Sequence, residues 1–330
     1  MLFVAVNHHY VAEERPASSR AIFPTTVAEL AAEVERLART FELVSRDDLV
    51  RAVNGSAPLP DKACLITFDD GLRSQFELAL PVLELLGARA LFLVPGQPLA
   101  EGRALQVHKI HALRERLADA ELLEQLRVDV TGHETEAASM YGYDSPEAAM
   151  VKYALNVALP FDRREAAVDA VFQRVFGGEE EFCAGLYMGA EQVAELERRH
   201  RAVGAHSYAH RPLSRLGPDG LRDDLERNAG VLEALTGARP AVISYPYGSP
   251  DAVDRAVAAA AEQAGFVAGF TMERAFNRSL AAPLLLARID VNDAPGGSHA
   301  LFDLAGGEPV LRAGMTAARE RYLTEEDAAG

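Results

Sequence analysis

Two neighbouring carboxylates, Asp69 and Asp70, end the apolar run Leu65-Ile66-Thr67-Phe68 and are followed by Gly71. Such a run reads as a buried strand that stops with two charges directed into a crevice. Successive side chains on an extended strand point to opposite faces. Both acids can serve one site only if the chain turns there, and Gly71 permits the turn. Two carboxylates held together do not behave alike, because a cation on one leaves the other free as a base. A second stretch, His206-Ser207-Tyr208-Ala209-His210, sets two imidazoles four residues apart just past another predicted strand. One helical turn or a tight loop brings both to one face, and two neutral imidazoles with one carboxylate form a facial triad with open positions for water and substrate. A third stretch, Ile243-Ser244-Tyr245-Pro246-Tyr247-Gly248, ends a strand in a rigid turn. Its backbone N–H groups could hold an oxyanion; the alternative is an ordinary aromatic-lined turn. Singly, an Asp-Asp-Gly is a surface turn and a His pair a weak motif. Their coincidence at strand ends points to a metal site.

The elements that must position these residues alternate. Leu2 to Val6 reads as a first strand, ending at Asn7-His8-His9-Tyr10. Thr26-Val27-Ala28-Glu29 is a capping box ahead of an amphipathic helix. Phe41 to Val44 is a short strand, Ser45 caps a short helix, and Ala63 to Phe68 is the central strand. Gln75 to Leu86 is helical with a kink or restart at Pro81, and Ala90 to Val94 is the next strand. This order predicts a parallel sheet or barrel with its site at the strand C-termini. From about Leu105 to Arg199 the alternation gives way to periodic helical positions, read as a helical insertion in a single domain spanning 1–330. Alternation resumes with strands at Arg201 to His206, Ala241 to Ser244, Phe266 to Thr271 and Leu284 to Val291. Helices are expected at Pro218 to Leu235 and Asp251 to Gln263, and a helical tail from Glu308.

Composition narrows the partners. The chain has 330 residues, 49% of them hydrophobic, enough for a substantial core. A formal net charge of -16 argues against nucleic acid or an anionic membrane as partner. Of the two cysteines, Cys64 lies inside an apolar strand and reads as a core residue. The N-terminus lacks a basic flank and a signal-type apolar stretch, and no segment is long and apolar enough to span a membrane. The expected location is cytoplasmic.

The three stretches, in this order and each at a strand end, resemble the polysaccharide deacetylase (NodB-homology, carbohydrate esterase family 4) proteins. Thr67 to Gly71 is similar to the family's T-F-D-D-G, His206 and His210 to its histidine motif, and Ser244 to Tyr247 to its R-x-P-Y. The resemblance implies a distorted (β/α)7 barrel and a divalent metal, usually zinc. It also implies that Asp70, His206 and His210 are ligands, that Asp69 is the general base, and that the Tyr247 backbone N–H is an oxyanion donor. The sequence departs from the family twice. Ser244 stands where the motif has arginine; Arg288 is the best substitute, since a guanidinium fork fits a carboxylate, the alternative being a surface arginine. The late L-x-x-H acid is missing, and His299 lies in a loop. The strand ending in His8-His9 resembles rearranged members similar to the exopolysaccharide deacetylases, with His9 as the acid.

The resemblance implies removal of an N-acetyl or other N-acyl group from an amino sugar or saccharide. The rival readings are a metal-poor, allantoinase-like ring-opening amidohydrolase and a non-catalytic sugar-binding or scaffold protein. The insertion is expected to cover the barrel mouth or to form a homo-oligomer contact. His108 and His111 within it could contact substrate, hold a metal or be structural. The Tyr141-Gly142-Tyr143-Asp144 patch could stack on a sugar or pack internally.

Overall fold

The computed structural model describes residues 1–140, 145–305 and 308–312. The Tyr141–Asp144 patch therefore lies outside the described residues. The chain divides into two compact units, one of Met1–Arg15, Pro24–Glu101 and Ala184–Gly330, the other of Pro16–Phe23 and Gly102–Cys183.

The first unit is built on a curled parallel sheet. Its strands are β1 (Leu2–His8), β4 (Glu42–Leu43), β5 (Lys62–Phe68), β6 (Ala90–Val94), β7 (Val203–Ala205), β8 (Val242–Ser244), β9 (Ala268–Phe270) and β10 (Ile289–Asp290). The order is β10-β1-β5-β6-β7-β8-β9, with β4 also on β5. A parallel bridge between Phe270 and Leu286 joins β9 to the segment leading into β10, so the ring of a distorted (β/α)7 barrel closes there. Two minor pairs complete the strands: β2 (Val11–Ala12) with β3 (Thr25–Thr26), and β11 (Phe302–Ala305) with β12 (Glu308–Leu311).

The strands read as unbroken apolar runs because both faces are buried. Alternation still sorts the side chains. Phe3, Ala5, Ala63, Leu65, Leu91, Leu93, Val242 and Leu286 form an inner core. Leu2, Val4, Val6, Cys64, Ile66 and Phe68 join the outer core with Leu30, Val34 and Leu37 of the helix Val27–Ala38. Continued by one step, this alternation puts Asn7, Thr67, Ser244 and Arg288 on the inner face and His8 on the outer face. Parallel register sets these ends level: Asn7 pairs with Thr67, His8 with Phe68, and Asn7 with Asp290.

The expected helix from Gln75 is present with a restart: a π-helical turn, Gln75–Ala79, gives way to an α-helix, Leu80–Leu85, that carries Pro81 at its start. Elsewhere the structure departs from the expected elements. The helix expected from Asp251 begins at Arg255, because Asp254 caps it by accepting from Val257 N–H at 2.8 Å. The strand expected over Leu284 to Val291 is broken: Pro283–Leu285 is a 3-10 turn, and only Ile289–Asp290 pairs as a strand. The helical tail expected from Glu308 is instead strand β12, antiparallel to β11, whose Phe302 is buried against Phe276. Residues 313–330 of that expected tail lie outside the described residues.

The second unit is helical, as the periodicity predicts. Leu113, Leu117, Leu122, Leu126, Val151, Leu155, Val168, Val171 and Phe172 form its core. Ser145 caps the helix Pro146–Tyr153. Lys109 is wholly buried and donates to Asp169 and Glu179, each at 2.7 Å. The Pro16–Phe23 segment is held by Glu115, whose Oε1 accepts from the N–H groups of Arg20, Ala21 and Ile22. The helix Ala190–His200, which the sequence reading assigned to the insertion, falls in the barrel unit. Its Val193 and Leu196 fill the barrel's outer core.

Candidate active site

The site lies on the rim where the parallel strands end, as a barrel of this kind requires. The turn that brings both acids to one place is made by Asp70 itself, at φ 76°, together with Gly71 at φ 62°. A side chain at Gly71 would also press on Val94, with a Cβ only 3.0 Å from Cγ1. The histidine stretch is a loop rather than a helical turn. Ser207 and His210 take left-handed φ of 56° and 54°, and Ser207 Oγ accepts from His210 N–H at 2.9 Å. Tyr247, at φ 64°, is the fourth non-glycine residue of the site in this region. Such backbone costs about 1–3 kcal/mol per residue and concentrates at functional sites.

Asp70, His206 and His210 converge. Asp70 Oδ1 lies 3.4 Å from His206 Nε2 and 3.5 Å from His210 Nε2, and one ligand atom from each lies within 4.8 Å of the others. Among the described residues no other group of three such side chains does so. His108 and His111, whose ring centroids are 6.1 Å apart, therefore belong to no such group. One carboxylate and two imidazoles are a donor set that suits a divalent transition metal such as zinc. His206 Nδ1 is engaged with Ser244, which turns Nε2 toward Asp70.

Asp69 is held apart from this set. Arg288, fully buried, donates to Oδ1 at 2.8 Å and to Oδ2 at 2.6 Å. Asn7 Nδ2 donates to Oδ2 at 3.1 Å and Ser244 Oγ to Oδ1 at 2.8 Å. Arg288 also donates to Asn7 Oδ1 and Thr67 Oγ1. Burial alone would raise the Asp69 carboxyl; the Arg288 guanidinium, with His206, outweighs it and holds the group well below the usual carboxylate range. Burial likewise lowers His206, but Asp69 and Asp70 raise it above its ordinary value. Arg288 thus lies against Asp69 rather than at the surface.

His9 stands one amide away from Asp69: its Nε2 is 3.5 Å from Asn7 Nδ2. His8 points to the other face and stacks on Phe68, ring centroids 5.0 Å apart. His299 bonds Ser298 in an exposed turn. The Tyr247 ring is 44% exposed and meets His210 edge-on at 5.1 Å, so an aromatic surface borders the donor set.

Several residues that hold the site were not singled out from the sequence. Gln75, in the π-helical turn, donates through Nε2 to the backbone carbonyls of both His9 and Asp69 and accepts from Leu72 N–H. π-Turns recur at functional sites. On the helix Pro218–Thr236, Asn228 Oδ1 accepts from His206 N–H, and Asp224 accepts from Tyr208 and Ala209 N–H. Asp224 and Asn228 are four apart on the face that also carries Leu221, Leu225 and Leu232. Two polar residues on an apolar stripe are the one signal that could have found them.

The family model "Polysaccharide deacetylase" matches residues 167–269, a span that takes in His206, His210 and Ser244 to Gly248 but not Asp69 and Asp70. No curated protein matches the chain. Among solved structures it is similar to the Streptococcus pyogenes deacetylase PplD in complex with acetate, at 13% identity and a TM-score of 0.55, over 88% of this chain and 92% of that one. It is similar to IcaB from Ammonifex degensii at 19% identity and a TM-score of 0.54, over 88% and 91%. A de-N-acetylase from Aggregatibacter actinomycetemcomitans matches at 17% identity and a TM-score of 0.51, over 91% and 98%. At these identities the likeness is one of fold.

Proposed function

We propose that this chain, which resembles the polysaccharide deacetylases in part of its sequence and in its fold, is a metal-dependent hydrolase that removes an N-acetyl or other N-acyl group from an amino sugar or saccharide. The observation that carries the reading is a converging Asp70, His206 and His210 set beside a second carboxylate, Asp69, kept charged by a bidentate arginine. A divalent cation held by that set, zinc foremost, would polarise the amide carbonyl and make water nucleophilic at neutral pH.

The chain's own residues divide the remaining work. Asp69 accepts the proton of the attacking water; its low pKa keeps it ionised and available wherever the enzyme works. Arg288 and Asn7 fix the direction in which it accepts. His9, on the far side of the Asn7 amide, donates a proton to the departing nitrogen, which is too basic to leave as an anion. Tyr247 supplies a backbone N–H to the oxyanion, in a turn whose conformation is set before substrate arrives. The donor set argues against a metal-poor ring-opening amidohydrolase, and a fully hydrogen-bonded base argues against a binding-only protein.

The test is acetate release from free, nucleotide-linked and oligomeric N-acetyl amino sugars by purified protein. Release that a chelator abolishes and zinc restores supports the reading. Zinc-loaded protein that releases nothing from any of the three classes overturns it.

A further inference from the structure

Ser244 ends β8, and its side chain lies between two groups of the site. Its Oγ is 2.8 Å from Asp69 Oδ1 and 2.6 Å from His206 Nδ1, and its carbonyl oxygen is 3.0 Å from the same ring nitrogen. All three residues are buried, Ser244 completely. The protons in this triangle have one consistent arrangement. An ionised carboxylate only accepts, and Arg288 keeps Asp69 ionised, so the hydroxyl hydrogen goes to Asp69. The hydroxyl oxygen then has only lone pairs to offer His206, and the carbonyl oxygen never has anything else. Both require a hydrogen on Nδ1, which in the neutral imidazole, the form that binds a metal, leaves Nε2 bare. Nε2 is the atom that faces Asp70 Oδ1 at 3.4 Å.

We infer that Ser244 is a positioning residue that joins the two halves of the site: one hydroxyl fixes which nitrogen His206 offers to a metal and bonds the Asp69 carboxylate that Arg288 and Asn7 orient. The inference rests on the metal-dependent reading and goes beyond it, because it makes the state of Asp69 felt at a metal ligand. By linkage the ligand's occupancy is then felt at Asp69 by the same factor. An amide at position 69 can donate to the hydroxyl oxygen, freeing the hydroxyl hydrogen to turn toward Nδ1 and weaken the ligand tautomer.

The experiment is zinc affinity by competition with a chromogenic chelator. It uses the full-length protein and its Ser244→Ala, Ser244→Thr, Asp69→Asn and Ser244→Ala/Asp69→Asn variants. Loss of one oxygen atom leaves the core packing intact, and thermal melting of each variant checks this. Ser244→Ala is expected to weaken zinc about 10-fold, the lower end for an outer partner of a ligating histidine. Ser244→Thr, which keeps the hydroxyl, restores most of that affinity. The effect of Asp69→Asn on zinc is expected to be about threefold or more smaller when Ser244 is already alanine. Zinc affinity that is equal in the unaltered protein and in Ser244→Ala overturns the inference alone, and so does a strictly additive double variant. No zinc binding by the unaltered protein overturns the functional reading and the inference with it.

Discussion

Asn7 and His8 are neighbours at the end of β1, and they face opposite sides of the sheet. Each lies beside a buried carboxylate: Asp69 on the inner face, 2% exposed, and Glu33 on the outer face, 5% exposed. Burial is nearly the same, yet the outcomes are opposite. Asp69 accepts from Arg288, Asn7 and Ser244 and stays charged. Glu33 lies 3.7 Å from His8 and feels the charge of Arg36, but among the described residues neither ring nitrogen of His8 nor Oε1 of Glu33 has a hydrogen-bond partner. Burial pushes Glu33 up to about 8 and His8 down to about 4. The number and geometry of donors, rather than depth, decide whether a buried acid keeps its charge. The inner face uses a buried arginine to keep a carboxylate ionised, and the outer face lets the charge go.

The largest effect should come from removing what makes the inner face different. Arg288→Leu leaves Asp69 charged and under-compensated, or forces it to take up a proton. We expect a loss of about 3–5 kcal/mol, the range for breaking a buried ion pair, read by urea denaturation. Turnover should collapse with it. A loss below about 1 kcal/mol, the worth of a surface pair, would mean that the four contacts around Asp69 do not set its state.

The paired acids give the next test. Asp69→Asn should keep zinc within roughly the 10-fold range of an outer-shell change while turnover falls by about 10²–10⁴. Asp70→Asn should lose bound metal itself. Equal metal content in the two variants would erase the division between base and ligand. The two neighbouring histidines sharpen the same contrast. His9→Ala should cost about 10²–10⁴ on an amide substrate and much less on an aryl acetate, whose leaving group needs no proton. His8→Phe, which keeps the stacking surface against Phe68, should leave turnover within about threefold, the scale of a change away from the reacting atoms. Equal losses would mean that the alternation of β1 does not separate site from support.

What was legible in the sequence follows the same physical line. The βα order was readable because strands buried on both faces are continuous apolar runs. The candidate ligands were readable because Asp-Asp-Gly and the His pair are unusual at strand ends. Arg288 was singled out as the substitute for the arginine that the resembled motif has at Ser244, because a guanidinium fork fits a carboxylate. Asn7, Ser244 and Gln75 were missed because what they do depends on three-dimensional proximity. Ser244 meets Asp69 across 175 residues and Asn7 meets it across 62, distances over which no periodicity speaks. Ser244 was even read as a loss, the absence of an arginine, when its hydroxyl contacts both Asp69 and His206. The broken strand before β10 was illegible for a simpler reason: Leu284-Leu285-Leu286 is equally at home in a strand and in a 3-10 turn, and Pro283 tips it.

The smallest predicted effect is also the one that compares the two faces in a single curve. Glu33 is raised from 4.5 to about 8, so the folded protein holds a proton there that the unfolded chain has released. Stability from this group is full below pH 4.5 and is lost as pH rises toward 8. His8 is lowered from 6.5 to about 4, so its contribution is full above pH 6.5 and is lost as pH falls toward 4. Between 4.5 and 6.5 the two slopes oppose each other and stability is nearly flat. Above 6.5 the raised Glu33 and His206 act with the same sign, and stability should decline as pH rises, Glu33 contributing at most ~1.4 kcal/mol per pH unit, the limit for one proton. Asp69, depressed below its ordinary value, has the opposite sign and acts only in acid, where its contribution is lost as pH falls below 3.8. The difference between the unaltered protein and Glu33→Gln on denaturation from pH 6.5 to 8 reads the outer face alone. The decline should become shallower in the variant, whose amide carries no proton to lose, while turnover and the acid limb are unchanged. A decline equally steep in Glu33→Gln would assign it to other groups, and the outer face would no longer stand as the neutral counterpart of the inner one.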